Sequence, residues 1–145
     1  MNRSDLALLT MSQLAGAPGE PFPLDRIRVQ KAIFLLTQRG PTDWKLLYQY
    51  RPYNWGPYSS QLAADTDSLI RVGYLENVPG ARHGQYRATT LGEAYAGQVW
   101  ATLSAKEQNF IRSVRAYVTN RSFTQLLREV YAAYPGYATA SQFSG

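Results

Sequence analysis

A chain of 145 residues without a single cysteine has no disulfide framework, no thiolate nucleophile and no cysteine-built zinc site. With 45% apolar and 17% charged residues it reads as globular, and a chain this long buries roughly two-thirds of its unfolded surface, enough to fold without staples as one domain, 1–145. The net charge of +5 favours a polyanionic partner, yet residues 1–57 and 101–145 carry +3 each while residues 58–100 carry −1.

The first segment, 4–15, has helical spacing with Ser4 as its expected N-cap, and the breaker-rich stretch 16–23 follows. The spacing predicts a second helix over 24–39, with Asp25 in its first turn and Gly40-Pro41 as its stop. Its centre, 32–36, is apolar on nearly every side, which marks it as the core helix. Residues 44–53 are rich in aromatics and read as a strand, and 54–57 as a turn. A helix over 59–72 follows, capped by Ser59 or Ser60 and stopped by Gly73. Strands at 74–78 and 85–89 flank a turn containing Gly80 and Gly84. Three capping boxes, Thr90 with Glu93, Ser104 with Glu107 and Ser122 with Gln125, start the helices that come next. The expectation is therefore a mainly α protein with a small β-hairpin (α+β). It would have a winged helix-turn-helix-like core at about 24–90, a helical C-terminal extension at about 91–135 and a loose tail over 136–145. No apolar run reaches the roughly 18–20 residues of a membrane span. Met1-Asn-Arg-Ser-Asp5 does not open a signal peptide either, so a cytoplasmic protein with no membrane association is expected, of a size suited to a bacterium or phage.

In such a core the helix 59–72 would turn Leu62, Leu69 and Ile70 inward. Ser60, Gln61, Ala64, Asp65, Asp67, Ser68 and Arg71 would face outward. Ser60, Gln61, Ala64, Ser68 and Arg71 are the groove-facing candidates, whereas the two aspartates would repel a phosphate backbone. The wing supplies Arg82, His83 and Arg87, with no acid between 79 and 89, and suits a narrow minor groove. Arg28, Lys31 and Arg51 are further candidates for phosphate or partner contacts. Five rings within eleven residues, Tyr48, Tyr50, Tyr53, Trp55 and Tyr58, serve either as core packing against the 33–36 helix or as a binding patch. For the patch, Tyr53, Trp55 and Tyr58 are the candidates. His83 is the only histidine and has no evident orienting acid, and Asp65 and Asp67 diverge on a helix, so no catalytic residue, metal ligand or cofactor is expected.

The block Arg28-Val-Gln-Lys31-Ala-Ile-Phe-Leu-Leu36, followed by Tyr53-Asn-Trp-Gly-Pro-Tyr-Ser-Ser-Gln-Leu62, Asp65 and Leu69, resembles the Panacea (SocA-like antitoxin-associated) domains and the related YwgA-like proteins. The likeness spans roughly residues 24–75. Val29 stands where that group has leucine, and Ser60-Gln61 replaces its Pro-Glu. The resemblance implies a helix-rich, winged-helix-like module from a toxin–antitoxin, prophage or defence locus, acting as antitoxin, proteolytic adaptor or regulator. Separately, Leu69…Gly73-Tyr-Leu75 with Tyr86, Thr89 or Thr90, and Gly92 is similar to the recognition-helix-to-wing segment of PadR- and MarR-type repressors.

Two functions follow. One is a winged-helix DNA-binding regulator of transcription, dimerised through the helices at 105–134 and bound to double-stranded DNA. The other is an antitoxin- or adaptor-type protein-interaction module that binds no DNA, its partner a toxin or a protease adaptor target.

Overall fold

The computed structural model describes residues 1–17, 23–80 and 84–139. Its organising element is α2 (Arg26–Arg39), in which every residue from Val29 to Thr37 is buried. Asp25 caps this helix by accepting from the Arg28 amide, and the Gly40 amide closes it onto the Leu36 carbonyl. Asp25 was expected in the first turn, but the strand before the helix holds it extended. Leu24 and Asp25 form β1, which pairs with β5 (Gln85–Ala88). The buried helix α1 (Arg3–Met11) packs beside α2. α1 differs from the expected 4–15 helix at both ends. Asn2, not Ser4, caps it in a reciprocal box with Asp5, and Ser12 breaks it before a 3-10 turn over Gln13–Ala15.

The aromatic segment read as a strand over 44–53 is mostly something else. Thr42–Trp44 is a 3-10 turn, and pairing begins only at β2 (Arg51–Tyr53), which forms a hairpin with β3 (Gly56–Tyr58) across Asn54 and Trp55. Gly56 was expected in the turn. It is instead the first residue of β3, at φ 98°, a conformation that side chains disfavour. Ser59 then caps α3 (Ser60–Arg71), and Gly73, at φ 85°, stops the chain before β4 (Leu75–Val78). β4 and β5 form the hairpin expected from the sequence, and with β1 they make an antiparallel sheet ordered β1-β5-β4. Its register sets Glu76 opposite Arg87 and Asn77 opposite Tyr86.

Of the three capping boxes, those of α5 (Ala105–Thr119) and α6 (Phe123–Ala133) form as read. The box expected at Thr90 does not. Thr89 caps α4 (Thr90–Trp100), its hydroxyl accepting from the Gly92 amide and donating to the Gly73 carbonyl. Glu93, freed from that role, accepts from the Ser12 hydroxyl and the Gln13 amide. Ile111, Val118, Leu126 and Leu127 of α5 and α6 are buried in the chain's own core, while Phe110, Tyr117 and Tyr131 of the same helices are half-buried. The chain also stays ordered past the point where a loose tail was expected. Pro135–Ala138 is a 3-10 turn, and Tyr134 and Tyr137 meet Phe34 edge-on at 4.9 and 5.1 Å. The rest of that tail, 140–145, lies outside the described residues. The whole is mainly helical with small antiparallel sheets, and no helix among the described residues is long and apolar enough to cross a membrane.

Two glycines of α4 give a paired stability test. A Cβ at Gly92 would collide with the Tyr74 carbonyl, whereas one at Gly97 meets nothing. Gly92→Ala is expected to cost more than about 2 kcal/mol in a denaturant titration. Gly97→Ala is expected to stabilise by about 0.5–1 kcal/mol, since glycine is the poorer helix former.

Candidate functional site

The outward stripe of α3 consists of Ser60, Ala64, Asp67 and Arg71, spaced as one helical face. Its two charges cancel. Ser68 is half-buried and accepts from the Arg71 guanidinium at 3.0 Å. Gln61 is not free to read a base, because its side-chain carbonyl takes the Gln49 amide at 2.9 Å. Asp65 was expected outward, but α1 lies over it. Arg3 approaches it at 2.9 Å and the Tyr48 hydroxyl donates to it at 2.7 Å. Burial and this carboxylate both push the Tyr48 hydroxyl up in pKa. Asp65 therefore fastens α1 and the 44–50 segment onto α3. The inward face is Leu62, Thr66 and Leu69, with Ile70 half-buried beside them.

The cations assigned to a polyanion are mostly committed within the chain. Arg87 donates twice to Glu76 across the β4–β5 pair, at 2.7 and 2.9 Å. Such an exposed pair contributes only about 0.2–1 kcal/mol to stability, but it cancels the one described cation of the β4–β5 hairpin. Arg82 and His83 lie outside the described residues. Arg28, expected to contact phosphate or partner, holds Asp25 at 2.6 Å and donates to the Val118 and Arg121 carbonyls, tying α2 to the end of α5. Lys31, assigned the same role, is 2% exposed. Only Arg51 of these three stands on the surface, over the rings of Tyr53 and Tyr58 at 5.2 and 5.8 Å.

The aromatic cluster divides between the two roles open to it. Tyr48 is buried, and Tyr50 meets Phe34 edge-on at 5.0 Å. Tyr53 is 41% exposed and lies 4.7 Å from the Tyr58 ring, while Trp55 rests against Phe123 of α6. Beneath the hairpin opens a cleft of about 310 Å³, walled by Ile27, Gln30 and Lys31 of α2 and by Tyr53, Trp55 and Tyr58. A larger depression of about 620 Å³ runs between residues 13–17 and α5. Both cations in its lining are engaged: Arg115 with the Thr10 and Ser12 carbonyls, where it closes the end of α1, and Arg112 with the Leu14 carbonyl and the Trp100 ring. The smaller cleft carries the more distinctive chemistry.

Two polar residues form its inner wall. The Gln30 amide makes a reciprocal pair with the Ser59 backbone, accepting from its N–H at 2.8 Å and donating to its carbonyl at 3.0 Å. The Lys31 ammonium donates to the Pro57 carbonyl at a long 3.5 Å. Burial lowers the Lys31 pKa from 10.5 to about 7, against a weaker opposing pull from the Asp25 carboxylate. Lys31 was expected as a phosphate or partner contact, and Gln30 figured only in the block that carries the resemblance. The available signal was this polar pair set directly before the apolar run 32–36. Among the described residues no three His, Cys, Asp or Glu side chains gather as a metal ligand set. No protein-family model matches the chain, and no curated protein matches it.

Because Lys31 is protonated in the unfolded chain up to 10.5 and in the folded one only up to about 7, stability from this group rises between those two values. Replacing it with methionine removes the effect. The stability advantage of Lys31→Met is expected to be largest below pH 7 and to shrink by up to about 1.4 kcal/mol per pH unit above it. Urea titrations of both proteins at pH 6, 7.5 and 9 measure the difference, which isolates this side chain from the tyrosines. An advantage independent of pH would contradict the assigned shift.

Proposed function

We propose that the protein is a protein-interaction module of antitoxin or adaptor type. It is built on a winged-helix-like core and engages a partner polypeptide through the β2–β3 hairpin and the cleft beneath it. The observation that carries this reading is a contrast between two surfaces. The face of α3 and the described part of the β4–β5 wing have no net charge, with Asp67 offsetting Arg71 and Glu76 paired to Arg87. The hairpin, by contrast, presents Arg51, Tyr53, Trp55 and Tyr58 around a concavity, and aromatic rings with arginine are the side chains enriched at protein interfaces. The resemblance to Panacea and YwgA-like proteins runs through the same residues, 53–62. It supports a toxin or a protease adaptor target as the partner and a toxin–antitoxin, prophage or defence locus as the setting.

A DNA-binding regulator is the second reading, favoured by the hairpin that directly follows α3 and by the overall charge of +5. In that case Ser60, Ala64, Ser68 and Arg71 would face the major groove, and Arg82, His83 and Arg87 the minor groove or phosphates.

Co-expression with the product of the adjacent gene, followed by affinity purification, tests the first reading. The partner is expected to co-purify, and a Tyr53→Ser/Trp55→Ala double variant of unchanged helicity is expected to lose at least about thirtyfold in affinity. Undiminished binding by that variant would contradict the assigned surface. Fluorescence anisotropy with random and operator-like duplexes at ~50 and ~200 mM salt separates the second reading. Tight binding at the lower salt that collapses at the higher would favour the regulator.

A further inference from the structure

The cleft beneath the β2–β3 hairpin has a cationic wall that its own residues leave incomplete. An ammonium carries three N–H donors, and among the described residues the only acceptor for Lys31 is the Pro57 carbonyl, at 3.5 Å. The side chain is nonetheless held in place. It runs along Gly56, where a Cβ would meet the lysine Cε at 2.8 Å, so this glycine makes room for the stem as well as the turn. Arg26 adds a second cation to the lining, with its Nε donating to the Tyr86 hydroxyl at 2.8 Å. No carboxylate among the described residues lines the cleft. The hairpin side of the wall carries Asn54 and the rings of Tyr53, Trp55 and Tyr58.

We propose that this cleft is a recognition pocket for a carboxylate borne on an aromatic or apolar group, the anion meeting the Lys31 ammonium and the apolar body lying against Trp55, Tyr53 and Tyr58. This deepens the partner-binding reading above, and rests on it, by naming the chemistry of the group that enters. A monovalent carboxylate matches the one buried ammonium. The other cation of the lining, Arg26, is solvent-exposed and engaged with the Tyr86 hydroxyl, so the second charge of a phosphate dianion would lack a buried counterpart. The cost of desolvating the lysine is incurred on folding, so a guest anion gains its full attraction in a site where water is scarce.

Binding is then linked to protonation. The guest requires the ammonium form, and the ion pair draws a proton onto Lys31 at neutral pH and above. The charged and titratable groups on the surrounding elements are Asp25, Arg26 and Arg28 around the start of α2, and Arg51, Tyr53 and Tyr58 on the hairpin. α5, packed on α2, carries Lys106, Glu107, Arg112, Arg115 and Tyr117, and α6, packed on β3, carries Arg128, Glu129 and Tyr131. Arg28 pairs with Asp25 and Arg121 pairs with Glu129, and of all these only the Asp25 carboxylate acts appreciably on the lysine.

Amide-shift titrations by two-dimensional NMR, run at pH 6.5 and 8.5, test the pocket with two matched probe pairs. Phenylacetate against phenylacetamide represents a free acid, and acetyl-Phe-Glu-amide against acetyl-Phe-Gln-amide represents an acidic side chain in a polypeptide. At least one acid is expected to shift the amides of residues 27–31 and 53–58, with affinity about tenfold or more above its uncharged counterpart. That preference is expected to weaken at pH 8.5 and to vanish in Lys31→Met. Whichever pair discriminates identifies the source of the carboxylate. Equal binding of acid and amide, no shift at the cleft by about 10 mM, or a preference that survives Lys31→Met would each overturn the proposal. Acid-selective binding combined with undiminished partner capture by the Tyr53→Ser/Trp55→Ala variant would leave the pocket standing and overturn the assigned partner surface.

Discussion

Gln30 lies in the buried run Val29–Thr37 of α2 and gives both ends of its amide to a single residue, Ser59. Ser59 in turn caps α3, its hydroxyl accepting from the Leu62 amide. Through this one side chain the end of the β2–β3 hairpin and the start of α3 are both referred to α2. Each hydrogen bond is worth about 1 kcal/mol net, but losing the glutamine would leave the buried Ser59 N–H unsatisfied, at about 1–3 kcal/mol, while the Ser59 carbonyl would keep the Ala63 amide. The hairpin therefore stands in a fixed place over α2, and the cleft between them is a consequence of that attachment. Lys31, the next residue along the helix, is carried into the cleft wall by the same geometry.

The electrostatics follow from how the helices are joined. Arg28 ties α2 to α5, Arg3 ties α1 to α3 through Asp65, and Arg115 closes α1 from α5. Each join uses a cation that composition alone would assign to a polyanion. The surplus that remains exposed includes Lys45, Lys106, Arg112 and Arg128, scattered over a loop, α5 and α6 rather than gathered on α3 and the β4–β5 hairpin. A formal charge of +5 is in this protein a poor guide to where an anion would bind.

Much of the fold was legible because local chemistry and tertiary packing agree. The all-apolar centre of α2, the Ser59 and Gly73 limits of α3, the β4–β5 pair and two of three capping boxes rest on side chains whose local preference nothing overrides. Most of the failures come from contacts distant in sequence. Thr90 is a plausible cap, but Thr89 is the residue held by the Gly73 and Tyr74 carbonyls; Ser4 yields for a local reason, since Asn2 completes the box with Asp5. The 44–53 segment looked like a strand because its aromatics suit one, yet Trp44, Tyr48 and Tyr50 are drawn singly into the core and leave only three residues to pair. At the site, the Tyr53, Trp55 and Tyr58 cluster was visible as composition. Lys31 as a buried cation was not read, although it directly precedes the apolar run 32–36, because burial of its ammonium is decided by the distant β2–β3 hairpin.

The attachment of Ser59 to α2 is the claim on which the cleft, the placement of α3 and both functional surfaces depend, and native-state hydrogen exchange reads it directly. The Ser59 amide is predicted to exchange as slowly as the amides of Ile33 to Leu36, opening only when the core opens. Exchange of Ser59 at the rate of the Asn54–Trp55 turn, with α2 still protected, would contradict the account.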